Sequence, residues 1–265
     1  MKILLVEGIN DAKVVEALCK KSGIKAVHIL PLKDKQGKDL NCPIKSYNEK
    51  KQELNETKKS FNFGIYPAGS DKELVEKIAP LLKSEESINT LVFILDADKQ
   101  KGKDNETNIK SRLQQIAYRF KDYKNYNKKF SKINPEGLII PKIEELPRIG
   151  LWLMPNNTEQ GMLEDFLMKM VNVPDICIKL AEDCVICAVD ENCASFKKTH
   201  FSKAVIHTYL SWQDEPGDAL ALSIRQGKLS SNSPIAIKFL RWLTKVFEIE
   251  SNLSSETITS NADKS

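Results

Sequence analysis

Apolar runs of strand length alternate with helical stripes along most of the chain. Lys2–Val6 is continuous and apolar, and it ends in Glu7-Gly8. From Asn10-Asp11 onward, Val14, Val15, Leu18 and Cys19 recur at helical spacing until Ser22-Gly23 stops the pattern. Ala26–Leu30 is the next apolar run. Strand, helix and strand in this order predict a βαβ unit, whose right-handed crossover implies a parallel sheet.

Residues 31–60 interrupt the pattern. They are Lys-rich, contain Pro31, Gly37 and Pro43, and show little periodicity, so they are expected to form a mobile surface insertion. Order resumes with a strand over Phe61–Tyr66 and a helix over Asp71–Leu82, capped by Ser70 or Asp71. Thr90–Leu95 is the clearest buried strand, and it runs directly into Asp96-Ala97-Asp98. A polar loop over Lys99–Asn108 and a basic helix from Ile109 to Phe120 follow.

Gly137–Ile140 and Ile149–Met154 predict two more strands, separated by the proline-bearing stretch 141–147. Beyond them the pattern is helical, over Gly161–Val171, Pro174–Ala188, Ser202–Trp212 and Ile235–Phe247. The Ser-, Thr- and Asn-rich residues 251–265 are expected to be disordered. The fold class is therefore α/β, a mostly parallel sheet flanked by helices over residues 1–158, followed by a helical region over 159–250. That region either forms a separate lobe or covers one sheet face. No internal repeat is visible.

Composition adds limits. The 265 residues suffice for a substantial core, and no apolar run has the length needed to cross a bilayer. The apolar start is too short for a signal-peptide core, so a cytoplasmic protein is expected. In a reducing compartment Cys19, Cys42, Cys177, Cys184, Cys187 and Cys193 are expected to be thiols. Cys184 and Cys187 have zinc-knuckle spacing, with Cys193 and His200 following. Cys177, Cys184 and Cys187 also continue a helical stripe with Leu180 and Val185, and a core-facing stripe is the favoured reading. His200 and His207 read as core-edge or surface residues, and Trp152, Trp212 and Trp242 as packing.

Charge is unevenly spread. Residues 99–132 carry eleven basic residues against three acidic ones, and residues 31–60 carry eight against five, within a chain of net charge +4. The rest of the chain is therefore acidic. Basic segments of this kind suggest a polyanion partner.

The chemistry lies in the acids. Ligands of open parallel sheets gather at the carboxyl ends of strands. Two strands here end in carboxylates, Glu7 and the pair Asp96/Asp98, with Asp11 one helical turn after Glu7. Carboxylates brought together repel unless a cation neutralises them or their pKa values rise. Hard oxygen donors suit Mg²⁺ or Mn²⁺.

The Glu-Gly turn after the first strand, combined with an Asp-x-Asp after a later one, resembles the Toprim domain of topoisomerases, bacterial primases, small Toprim nucleases and OLD-family nucleases. The match spans about residues 1–100. Ile149-Gly-Leu-Trp-Leu-Met-Pro155, Gly161-Met-Leu-Glu-Asp-Phe166 and His207-Thr-Tyr-Leu-Ser-Trp212 are also similar to a stand-alone Toprim-like family of unknown function. The resemblance implies Glu7 as metal ligand or general acid/base and Asp96 and Asp98 as Mg²⁺ ligands. Asp11, Glu164 and Asp165 would complete a two-metal arrangement.

Receiver domains place two adjacent acids after their first strand, where this chain has Glu7-Gly8, and nucleotide-sugar transferases give a Glu-Gly turn no role. No Walker lysine motif and no Gly-x-Gly-x-x-Gly occurs. The expectation is a Mg²⁺- or Mn²⁺-dependent nuclease acting on nucleic acid. The alternative is a regulatory Toprim-like protein that binds metal and a protein or nucleic-acid partner. Transfer on a small phosphorylated metabolite is a third, less favoured reading.

Overall fold

A computed structural model describes residues 1–33, 39–40, 42–57, 60–98, 104–172 and 176–250. The chain opens with β1 (Lys2–Val6), α1 (Ile9–Lys21) and β2 (Ala26–His28), the βαβ unit predicted from its pattern. A short antiparallel pair, β3 (Leu32–Lys33) and β4 (Asp39–Leu40), precedes α2 (Pro43–Glu56). Then come β5 (Phe63–Pro67), α3 (Asp71–Leu82), β6 (Thr90–Asp96), α4 (Asn105–Arg119) and the single turn α5 (Lys124–Asn127). β7 (Leu138–Ile140) and β8 (Arg148–Met154) complete the main sheet. The helices α6 (Leu163–Met168), α7 (Ile176–Asp190), α8 (Phe201–Ser211), α9 (Leu220–Gln226) and α10 (Pro234–Phe247) follow.

The six strands lie in the order β2-β5-β1-β6-β8-β7, all parallel except β7, which runs antiparallel to β8. Side chains alternate between the two faces, and both faces are covered. Leu4, Val6, Val92, Ile94 and Trp152 enter one core, while Ile3, Leu5, Leu91, Phe93 and Leu151 enter the other. Strands buried on both faces must be apolar throughout, which explains their continuous runs. α1 lies on the first face, with α3 and α4 on the second.

The helical region covers the first face of the sheet. One cluster runs from Leu4 through Trp152 to Phe239 and Phe247, and Phe247 stacks on Phe63 of β5 with ring centroids 4.0 Å apart. Residues 159–250 thus share a core with the sheet instead of enclosing one of their own.

Residues 31–60 differ from expectation. α2 occupies fourteen of them, with Pro43 in its first turn. Ser46 and Tyr47 are buried, and Ile44 packs against the core beside them. A proline suits the first turn because the missing N–H has no intrahelical role there. The sparse Ile44/Tyr47 stripe was masked by the surrounding lysines. α4 starts earlier than its apolar pattern suggests, because Asp104 caps it by accepting from Thr107 N at 2.7 Å. α9, ended by Gly227 at φ 84°, is too short to carry a clear stripe. The tail 251–265 and residues 99–103 lie outside the described residues.

The cysteine stripe is also corrected. Cys177, Cys184, Cys187 and Cys193 are all exposed, and only Cys19 is buried among the six. α7 turns Ala181 and Val185 inward, a narrower seam than the cysteine spacing implied. Among the described residues no helix is long and apolar enough to cross a membrane.

Joining helix α10 to the sheet through Phe247 has a measurable consequence. Phe247→Ala is expected to destabilise the chain by about 3–5 kcal/mol, lowering the urea midpoint of a single unfolding transition.

Candidate metal centre

β1 and β6 are neighbours, so the residues that leave their carboxyl ends meet. α1 departs from β1 toward one face and α4 departs from β6 toward the other, the topology that in open parallel sheets places ligands outside the strand ends. Glu7 Oε1 accepts from Asp96 N at 3.0 Å between these two strand ends. Asp96 Oδ1 in turn accepts at 3.1 Å from Leu163 N, at the start of α6. Asp11 Oδ2 accepts from Gly8 N at 3.1 Å in the first turn of α1. Glu164 is buried, and its Oε1 lies 3.6 Å from Lys203 Nζ of α8.

The electrostatics show these acids acting on one another. Burial raises the Asp96 carboxyl well above its usual range, and the charges of Glu7, Asp11, Asp98 and Glu164 push it further. Glu7 is raised to about 7, first by burial and then by Asp71 and Asp11, against the Asp96 amide and Arg112. Asp11 is raised to about 6 by burial and by Glu164, while amide hydrogen bonds and Lys203 oppose the rise. Asp98 is raised by burial and Asp71, with Arg112 opposing.

Asp165 stands apart in role. Its Oδ2 accepts from Met162 N at 2.8 Å and its Oδ1 accepts from Ser202 Oγ at 2.5 Å. Both oxygens are engaged in capping α6 and tying it to α8, so Asp165 is a structural carboxylate. Acids favour the first turn of a helix for this reason.

Three residues that the sequence pattern did not single out complete the centre. The Arg112 guanidinium projects from α4 into the acids. Its Nε donates to Asp96 O at 2.9 Å and its Nη1 to Asp71 Oδ2 at 2.8 Å. Nη2 lies 2.8 Å from Asp71 Oδ1, an ion-pair contact outside hydrogen-bond geometry, and 3.8 Å from both Glu7 Oε1 and Asp98 Oδ2. One helical turn earlier, Asn108 Nδ2 donates to Ala97 O and Asp98 O. Asn108 and Arg112 together therefore hold three successive carbonyls of the Asp96-Ala97-Asp98 turn, where Asp98 adopts φ 22°. A positive φ on a non-glycine residue costs energy and persists only when its surroundings enforce it. The i, i+4 spacing of Asn108 and Arg112 was a usable signal, hidden because Arg112 is one of eleven cations in its segment.

Glu7, Asp96 and Asp98 fit a divalent cation by donor chemistry. Their oxygens are hard and several are buried, and among the described residues Arg112 pairs with Glu7, Asp71 and Asp98 and Lys203 with Glu164, while the Asp11 and Asp96 carboxylates make no ion pair. Among the described residues no three Asp, Glu, His or Cys side chains converge as a ready ligand set. Mg²⁺ commonly takes only one or two carboxylates and keeps several waters, so such convergence is not required.

Two outcomes follow from this geometry. Glu7 and Asp11 have folded pKa values above their usual ones, so the folded chain holds protons that the unfolded chain releases. Stability contributed by these groups is thus lost as pH rises from about 4 to about 7. Without divalent cations Tm should fall over that window, Glu7→Gln should flatten the fall, and Mg²⁺ should raise Tm more at pH 7.5 than at pH 5. Separately, Asn108→Ala leaves the Ala97 carbonyl without its donor and should cost about 1–3 kcal/mol in urea unfolding.

No curated protein and no solved structure matches the chain. Residues 1–248 match the family model described as "Protein of unknown function (DUF3226)", and the chain belongs to that family.

Proposed function

We propose that the chain is a Toprim-like phosphodiesterase that uses Mg²⁺ or Mn²⁺ to cleave nucleic acid. The observation that carries this reading is the hydrogen bond from the Asp96 amide to the Glu7 carboxylate, which joins residues 89 positions apart at the strand ends where parallel sheets bind ligands. Glu7, Asp96 and Asp98 would hold the ion, with Asp11 and Glu164 beside them. A divalent cation there would polarise a phosphoryl oxygen and lower the pKa of water.

The chain's own groups have distinct tasks in this reading. Glu7, raised to about 7 without a cation, would release its proton on coordinating one, so its task is either to hold the ion or, left free of it, to take a proton. Asn108 and Arg112 hold the Asp-x-Asp turn in place. Exposed cations such as Lys110, Lys121 and Lys132 would meet backbone phosphates, which gives salt-dependent binding with little sequence preference. A nucleic-acid substrate would place the protein in the cytoplasm, as expected from its sequence.

One observation favours a second reading. Arg112 already lies 3.8 Å from both Glu7 and Asp98, which offsets part of their charge without any metal. A regulatory protein that binds metal and a separate protein or nucleic-acid partner would tolerate such a centre. Mn²⁺ binding without turnover, together with a co-purifying protein, would select this alternative.

The test is incubation with plasmid DNA or RNA under Mg²⁺ and Mn²⁺. Wild type is expected to nick or degrade it, Asp96→Ala to abolish cleavage, and Glu7→Gln to slow it by about 10²–10⁴-fold. Intact nucleic acid under both metals would contradict the nuclease reading.

A further inference from the structure

Helices α3 and α4 pack side by side on the second face of the sheet, and an open groove of about 430 Å³ runs between them. Lys72 and Val75 of α3 face Gln115, Tyr118 and Arg119 of α4 across it, with Asp71 at one end. Tyr118 is 61% exposed, unusually open for a large aromatic ring on a helix. Lys121 Nζ sits 5.0 Å from the ring centroid, so a cation already lies over a ring that remains largely open to solvent.

This groove leads to the carboxylate centre. Asp71 and Gln115 line it, and both bond to Arg112 Nη1, at 2.8 and 3.1 Å. Arg112 Nη2 then lies 3.8 Å from Glu7 and Asp98. Asp71 is already engaged by the guanidinium, and among the described residues the cations of the groove, Lys72 and Arg119, make no ion pair of their own.

We propose that the groove between α3 and α4 binds a single strand of nucleic acid, with a base stacked on Tyr118 and backbone phosphates paired with Lys72 and Arg119. In its substrate class this rests on the nucleic-acid reading of the carboxylate centre. The strand form is set by the ring. A base can stack on a protein side chain only when its own face is free, which holds for an unpaired strand and not within a duplex. Positive side chains beside an exposed aromatic ring are the combination that binds single strands without reading their sequence.

Fluorescence anisotropy in EDTA, with a labelled oligodeoxythymidine strand and with its duplex, tests the groove separately from any cleavage. Wild type is expected to bind the single strand at least about tenfold more tightly than the duplex. Tyr118→Ala should weaken single-strand binding about tenfold and Tyr118→Phe should preserve it, since stacking needs only the ring. Lys72→Ala should reduce the slope of log K against log salt by about 0.7, the share of one phosphate contact. Equal binding of strand and duplex, or Tyr118→Ala binding like wild type, would overturn the proposal. Adding Mn²⁺ then separates the two readings. Tyr118-dependent binding without cleavage upholds the groove and removes the nuclease, whereas cleavage with Tyr118-independent binding does the reverse.

Discussion

Carboxylates taken out of water and set beside one another repel, and a fold that gathers them must hold them in place by other means. Here the strand ends of β1 and β6 bring Glu7 and Asp96 into hydrogen-bond contact, with Asp11, Asp98 and Glu164 close enough to raise the Asp96 carboxyl. Three kinds of partner offset this. Backbone amides at Gly8, Asp96 and Leu163 each donate to one acid, the Arg112 guanidinium spans Asp96, Asp71 and the edge of Glu7, and Lys203 faces Glu164. Even so, Glu7, Asp11, Asp96 and Asp98 keep raised pKa values. The offset is incomplete, and this residual repulsion is the ground on which a divalent cation is proposed there.

The strand order explains why the acids meet there. β5 inserts between β1 and β2, and β6 then lies on the opposite side of β1, so helices leave the two central strands toward opposite faces. The starts of α1, α4 and α6 meet these strand ends. Each of these helices contributes a residue or an amide to the centre: Asp11, Asn108 with Arg112, and Leu163. The helical region, packed through Phe239 and Phe247 onto Trp152 and Phe63, keeps α6 in register with the strand ends. A change deep in that core is therefore coupled to the acidic centre through Leu163.

Much of this was legible before any coordinates. Buried parallel strands must be apolar on both faces, so β1, β6 and β8 announced themselves as unbroken runs, and the two that end in acids were the two that adjoin. α3 was equally clear, because Ser70 caps it by accepting from Glu73 N. What the pattern hid has physical causes. Arg112 and Asn108 share the i, i+4 spacing of one helix face, but their bonds to the Asp96-Ala97-Asp98 carbonyls were hidden in a segment crowded with other cations. Asp71 looked like an ordinary helix cap. Asp165 looked like a ligand because a capping carboxylate and a metal ligand occupy the same kind of position. The cysteines of α7 followed a plausible stripe, but Ala181 and Val185 make the contact. α2 was obscured because a solvated lysine face outweighs the three buried residues Pro43, Ser46 and Tyr47 in any count of polarity.

Anomalous diffraction from crystals soaked in Mn²⁺ tests the central claim most directly. The account predicts a peak at the carboxyl edge of β1 and β6, within coordination distance of Glu7, Asp96 or Asp98. Clear density for these acids and Arg112 with no ion among them at saturating Mn²⁺, or a peak elsewhere on the surface only, would contradict it.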